Sequence, residues 1–258
     1  MRVEIGGHAL NCERVGAGSR VALLIHGLGA SLRSWPTEVV DALAPDYEVL
    51  LLDLRGHGLS DSPPGAWTVD DLVADVRALL DVLAIPAVCA VGHSAGGVVA
   101  LALALAHPQL VDGLALVSTS SECNVAAAEW YSSVAEVALE QGIGPALRQV
   151  VAGLRLEASP AQDELVLPDP LGFAQTARCV ASLHPRPLTP RLAEIRCPTR
   201  VLVGELDPIG VGGAILLQRG IAGSTLEVVP GCSHMLPQDD PAGFAARVRE
   251  HLASLGAT

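Results

Sequence analysis

"AVCAVGHSAGGVVALALALA", residues 87–106, carries only two polar side chains, His93 and Ser94. About twenty apolar residues suffice to span a bilayer, so hydropathy alone reads the stretch as a membrane helix. The glycines divide it differently. "AVCAVG" has the composition of a buried strand, "GHSAGG" that of a tight turn, and "VVALALALA" that of a helix. Small residues at Gly92, Ala95, Gly96 and Gly97 surround Ser94, as a sharp strand-to-helix turn demands. The apolar flanks are then a central strand and a buried helix.

Outward from this turn the same alternation continues. "MRVEI" and "ALNCERV" flank Gly6-Gly7 and predict an opening hairpin. "VALLI" (21–25) is apolar throughout, as strands buried on both faces of a parallel sheet are. A helix over 31–43, strand "EVLLLD", a helix over 69–83, the stretch above and strand "GLALVS" follow. Strands then stop. "AAAEWYSSVAEVALEQGIGPALRQVVAGL" has helical spacing, broken at residues 142–145. "SPAQDELVLPDPLG" reads as a mobile loop around Asp163 to Gly172, and "FAQTARCVASL" as helix. Strand "TRVLVG", a helix over 212–222, strand "TLEVV" and a helix over 241–255 close the chain. The expected fold is α/β: a mostly parallel eight-stranded sheet with helices on both faces and a helical cap inserted after strand 6. The core is then 1–120 and 191–258, and the cap 121–190.

The chain has 258 residues and a formal net charge of −12. That balance repels nucleic acid and anionic membrane surfaces. The N-terminus shows no signal-peptide pattern, so the expected location is cytoplasmic. The six cysteines are scattered with no CxxC pair, which predicts neither a disulfide framework nor a zinc site. No cofactor or metal is expected, nor membrane insertion, and the chain reads as a monomer or homodimer.

Gly92-His93-Ser94-Ala95-Gly96 fits G-x-S-x-G, the nucleophile elbow, in its proper context between strand and helix. Together with "HGLG" (26–29), "DLRGHGLSD" (53–61), "GELD" (204–207) and "GCSHMLP" (231–237), it resembles the α/β-hydrolase superfamily. The likeness covers residues 20–120 and 195–256. It is strongest to the bacterial branch with a short helical cap, which includes carboxylesterases, enol-lactonases and carbon–carbon bond hydrolases. Residues 121–190 match no particular member.

The resemblance implies Ser94 as nucleophile, a histidine after the last strand as base, and an acid after strand "TRVLVG" to orient it. His234 and Asp207 stand at those positions, in the chain order Ser, Asp, His. Glu205 is the rival acid. Asp53 is expected to stabilise its own turn, and His26 and His57 to be structural. The implied oxyanion donors are the backbone N–H groups of Leu28 and Ala95, with side-chain identity at 28 mattering little beyond size. Candidate pocket residues are His93, beside the nucleophile but expected to point away from its hydroxyl, the insertion's aromatics Trp130, Tyr131 and Phe173, and His184.

A serine nucleophile argues against dehalogenases and epoxide hydrolases of this superfamily, which use aspartate. Carbon–carbon hydrolases usually carry a Gly-Pro step where this chain has Gly29-Ala30-Ser31. Enol-lactonases of 3-oxoadipate take a dianion, whereas the insertion is acidic. Glu122, Glu129, Glu136, Glu140, Glu157, Asp163, Glu164 and Asp169 stand against Arg148, Arg155, Arg178 and Arg186. The expected activity is therefore hydrolysis of a small, neutral, apolar carboxylic ester or lactone through an acyl-enzyme. The alternatives are cleavage of a vinylogous diketone and, on the same fold, a non-catalytic ligand receptor.

Overall fold

The computed structural model describes residues 1–156 and 169–256. Eight strands form one sheet: β1 (Arg2–Glu4), β2 (Ala9–Val15), β3 (Val21–Ile25), β4 (Glu48–Leu52), β5 (Val88–His93), β6 (Val111–Val117), β7 (Thr199–Gly204) and β8 (Thr225–Val229). Their spatial order is β1-β2-β4-β3-β5-β6-β7-β8. The first two strands pair antiparallel and the other six run parallel. This is the mostly parallel α/β sheet that the alternation of elements predicts, in the α/β-hydrolase architecture that the resemblance implies.

Both faces of the sheet are covered, which explains the apolar strands. In β3, Val21, Leu23 and Ile25 join one core while Ala22 and Leu24 join the other, following the two-residue period. Helices α2 (Val69–Val82) and α3 (Ala95–Ala106) cover the first face. Helix α1 (Thr37–Leu43), the short α8 (Leu236–Asp239) and the C-terminal helix α9 (Pro241–Ser254) cover the second. Helix α3 is buried along nearly its whole length. At about 1.5 Å per residue it is roughly 18 Å long, well short of a bilayer core. No helix among the described residues is long and apolar enough to cross a membrane.

The largest departures from the sequence expectation fall at two boundaries. The helix expected from residue 31 begins only at Thr37; a 3-10 turn over Leu32–Ser34 precedes it. Pro36 is the cause, because a proline pushes the residue before it out of helical conformation. After β6 come α4 (Val125–Gln141), α5 (Ile143–Gly153) and α6 (Pro170–Ala181). Gly142 breaks the first pair with φ +85°. The loop expected up to Gly172 instead ends at Asp169, whose side chain caps α6 by accepting the Gly172 N–H at 3.1 Å, with Pro170 at the first helical position. The rest of that expected loop, residues 163–168, lies outside the described residues.

Helices α4, α5 and α6 share an apolar cluster of Val134, Ala135, Ala138, Ile143, Ala146, Phe173, Ala174 and Ala177. All six cysteines are free, and Cys12, Cys89, Cys179 and Cys232 are buried.

Candidate active site

The site lies at the C-terminal ends of β3, β5, β7 and β8. Ser94 follows β5 directly and adopts φ 53°, ψ −118°, a left-handed value that non-glycine residues rarely take. The turn can be this tight only because its neighbours are small. A Cβ on Gly96 would collide with the carbonyl oxygens of Ile25 and His26, and one on Gly92 would lie 2.6 Å from Gly97 Cα. Thr119 holds the elbow from behind, its Oγ1 donating to the Ser94 carbonyl at 2.8 Å.

Asp207 sits between β7 and α7 (Gly210–Gly220). Its Oδ1 accepts the N–H groups of Ile209 and Gly210 at 3.1 and 2.9 Å, and its Oδ2 accepts from His234 Nδ1 at 2.9 Å. Burial alone would raise the carboxyl pKa. The His234 ring and the two backbone donors outweigh it, so the group stays below the ordinary carboxylate range. Glu205, the rival acid, is exposed and accepts the Gly231 N–H at 3.0 Å. It is not hydrogen-bonded to His234.

His234 is tied to the elbow through His93. The Nε2–H of His93 donates to the His234 carbonyl at 2.8 Å, and the two rings lie 5.2 Å apart. Burial first, and the neighbouring His234 second, push the His93 pKa down to about 4, so this ring is neutral. Trp35 packs edge-on against it.

Two backbone donors close to the nucleophile in the chain or across the turn are unpaired. Among the described residues, neither the Leu28 N–H nor the Ala95 N–H donates to a protein acceptor. Ala95 opens α3, where the first N–H groups of a helix lack intrahelical partners. Gly27 lies so close to the elbow that a Cβ there would sit 3.2 Å from Ser94 Cβ. The Leu28 side chain packs against the apolar cluster of α4, α5 and α6.

The remaining candidates divide. Burial first, then Cys123 and Asp207, hold the Tyr131 phenol above the ordinary range. Trp130 packs edge-on against Tyr131, 4.8 Å between centroids. Phe173 is fully buried and braces Gly29, where a Cβ would lie 3.0 Å from its Cε2. His184 is exposed, with Nδ1 3.3 Å from the Cys123 carbonyl. It lines a groove with Val125, Ser132 and Glu136, on the face of α4 opposite its buried residues. Asp53 secures its own turn and more: it accepts the N–H of Leu32 at 2.6 Å and of Leu59 at 2.9 Å. Among the described residues no three His, Cys, Asp or Glu are grouped to hold a metal.

A doubly covered, mostly parallel sheet with a strained serine after a central strand, and an Asp–His pair tied to that serine's neighbour His93, defines a class. The chain belongs to the alpha/beta hydrolase family, whose model matches residues 22–247. It is 32% identical over 245 residues to the 3-oxoadipate enol-lactonase 2 of Acinetobacter baylyi, covering 92% of this chain and 90% of that one. Its structure matches that of the enol-lactonase from Burkholderia xenovorans with a TM-score of 0.88 at 26% identity, over 98% of this chain and 99% of that one. A thermophilic esterase from Thermogutta terrifontis, in a malate-bound structure, matches with a TM-score of 0.89 at 26% identity over 100% of both chains.

Proposed function

We propose that this chain is a serine hydrolase of small, neutral, apolar carboxylic esters or lactones. Family membership supports it, as do the enol-lactonase and esterase among its relatives. The observation that carries it is the 2.9 Å hydrogen bond from His234 to Asp207, a pair tied through His93 to the strained Ser94 next to it in the chain.

On this reading Ser94 Oγ attacks the carbonyl carbon while its proton passes to His234 Nε2. Asp207 keeps the imidazole in the Nδ1–H tautomer, leaving Nε2 as the acceptor, and stabilises the imidazolium that forms. The N–H groups of Leu28 and Ala95 hold the oxyanion. Collapse of the tetrahedral intermediate breaks the ester C–O bond, and the proton on Nε2 goes to the leaving alkoxide. For a lactone that alkoxide stays attached to the acyl chain. Water, deprotonated by His234, then releases the acid and restores Ser94.

Residues 1–120 and 191–258 act as the catalytic core and 121–190 as the cap over the substrate. The acidic cap favours an uncharged acyl group over a dianion. No cofactor is needed, and the enzyme works in the cytoplasm as a monomer or homodimer. The test is a panel of short p-nitrophenyl esters, uncharged lactones, carboxylate-bearing lactones and vinylogous diketones. Multiple turnover is expected on the first two, with carboxylate-bearing lactones at least tenfold poorer in kcat/KM. Preference for the carboxylate-bearing lactones or the diketones contradicts the substrate assignment.

A further inference from the structure

Two buried histidines that take no part in the chemistry above lie beneath the Gly27–Ala30 loop. Each has about 1% of its surface exposed, and their rings are 5.2 Å apart. His26 Nε2 accepts the Leu54 N–H at 3.0 Å, and its Nδ1 lies 2.8 Å from the Gly27 carbonyl. His57 Nε2 accepts the Gly29 N–H at 3.2 Å, and its Nδ1 lies 3.2 Å from the Arg55 carbonyl. A carbonyl can only accept and an N–H can only donate. Both rings are therefore neutral, with the proton on Nδ1 and the lone pair on Nε2. Burial pushes both pKa values down, His57 to about 3, which keeps the acceptors available.

The loop's own bond, from the Ala30 N–H to the Gly27 carbonyl, is long at 3.3 Å, and the rings add to it. Glycine on either side of Leu28 removes the steric barrier that would otherwise keep the intervening peptide planes from rotating, and Gly29 stands at φ +75°. In a planar trans peptide, a carbonyl and the following N–H point in opposite directions. Fixing the Gly27 carbonyl toward His26 therefore aims the Leu28 N–H the other way. Fixing the Gly29 N–H toward His57 sets the next plane. Two successive peptides are each clamped by a buried ring, and Phe173 and Leu147 pack close to Gly29.

We propose that His26 and His57 form a pair of positioning residues that hold the oxyanion loop, His26 aiming the Leu28 N–H and His57 locking the peptide after it. This rests on Leu28 being an oxyanion donor, as set out above. Neither ring touches substrate. Their contribution is to keep the donor preorganised, so its loss falls on the transition state.

The test has two arms on the full-length protein. In the 15N-labelled, deuterated protein, NMR should find both rings neutral with Nδ1 protonated. It should also find scalar coupling across the Gly29 N–H to His57 Nε2 and Leu54 N–H to His26 Nε2 hydrogen bonds. An Nε2–H tautomer in either ring, or missing couplings, overturns the clamp. In the second arm, His57→Leu and His57→Gln are compared on an ester and its thionoester, whose sulfur is a poor hydrogen-bond acceptor. His57→Leu should lose roughly 10–100-fold in kcat on the ester with KM little changed, and the ester-to-thionoester ratio should collapse. Gln, whose carbonyl can accept the Gly29 N–H, should recover most of the loss. Equal losses on both substrates, or a wild-type kcat in His57→Leu, overturn it. Absent couplings in an active enzyme sink the clamp alone. Intact couplings in a protein that turns over no ester sink the hydrolase reading, and the role assigned to the clamp with it.

Discussion

His234 donates its Nδ1–H to Asp207 Oδ2 at 2.9 Å, with 3% and none of the two side chains exposed. Asp207 receives two further backbone donors at the start of α7, where the helix dipole also favours a negative charge. The carboxylate is thus ionised, fixed and aimed before any substrate arrives.

Asp207→Asn should lower kcat by about 10³-fold or more, since the amide favours the wrong histidine tautomer. Glu205→Gln should lose less than tenfold, because Glu205 only ties down the exposed Gly231 N–H. Steady-state kinetics on a p-nitrophenyl ester ranks the two. The reverse ranking makes Glu205 the orienting acid.

Gly210→Ala tests the same carboxylate from a distance. A Cβ there would lie 2.6 Å from Asp207 Cγ and collide with Oδ2. Asp207 must shift to make room, so kcat should fall at least tenfold, and overpacking should cost about 1–3 kcal/mol of stability. Urea unfolding and kinetics together check this. Unchanged kcat means the carboxylate position is not critical.

Acid sensitivity follows from buried neutral histidines. Burial pushes His57 down to about 3, and His93 and His251 to about 4. Between those values and about 6.5, the unfolded chain binds protons that the folded chain does not, so stability must fall as pH falls. Each ring contributes roughly 1–2 kcal/mol of loss by pH 5. His251 is remote from the site, packed between α9 and the sheet, so it isolates the effect. His251→Leu should narrow the stability difference between pH 7 and pH 5 by about that amount. Urea midpoints at the two pH values measure it. An unchanged difference means that His251 is already protonated in the fold.

What the sequence made legible was local. The elbow could be read from residues 92–97 because the strand, the small residues and the helix all lie within one stretch. Asp207 and His234 came from chain order within a resemblance. No local pattern separates Asp207 from Glu205; only the fold does, by turning one toward His234 and the other toward Gly231. His93 was seen as a neighbour of the serine, yet its bond to the His234 carbonyl joins residues 141 apart and has no sequence signature. Thr119, bonded to the Ser94 carbonyl, was missed for the same reason. The Asp169-Pro170 start of α6 was in plain view, as a capping residue followed by proline, but the surrounding prolines and glycines read as a loop.

The most direct measurement of the central claim is covalent labelling. Wild-type protein and Ser94→Ala are treated with a fluorophosphonate, and the adduct is located by peptide mass mapping. The account requires one adduct, on Ser94, formed in step with loss of ester turnover. It requires none in a folded Ser94→Ala protein, whose hydrolysis should fall by several orders of magnitude. Ester turnover near the wild-type rate in folded Ser94→Ala, or inactivation of the wild type by an adduct at another residue, would contradict it.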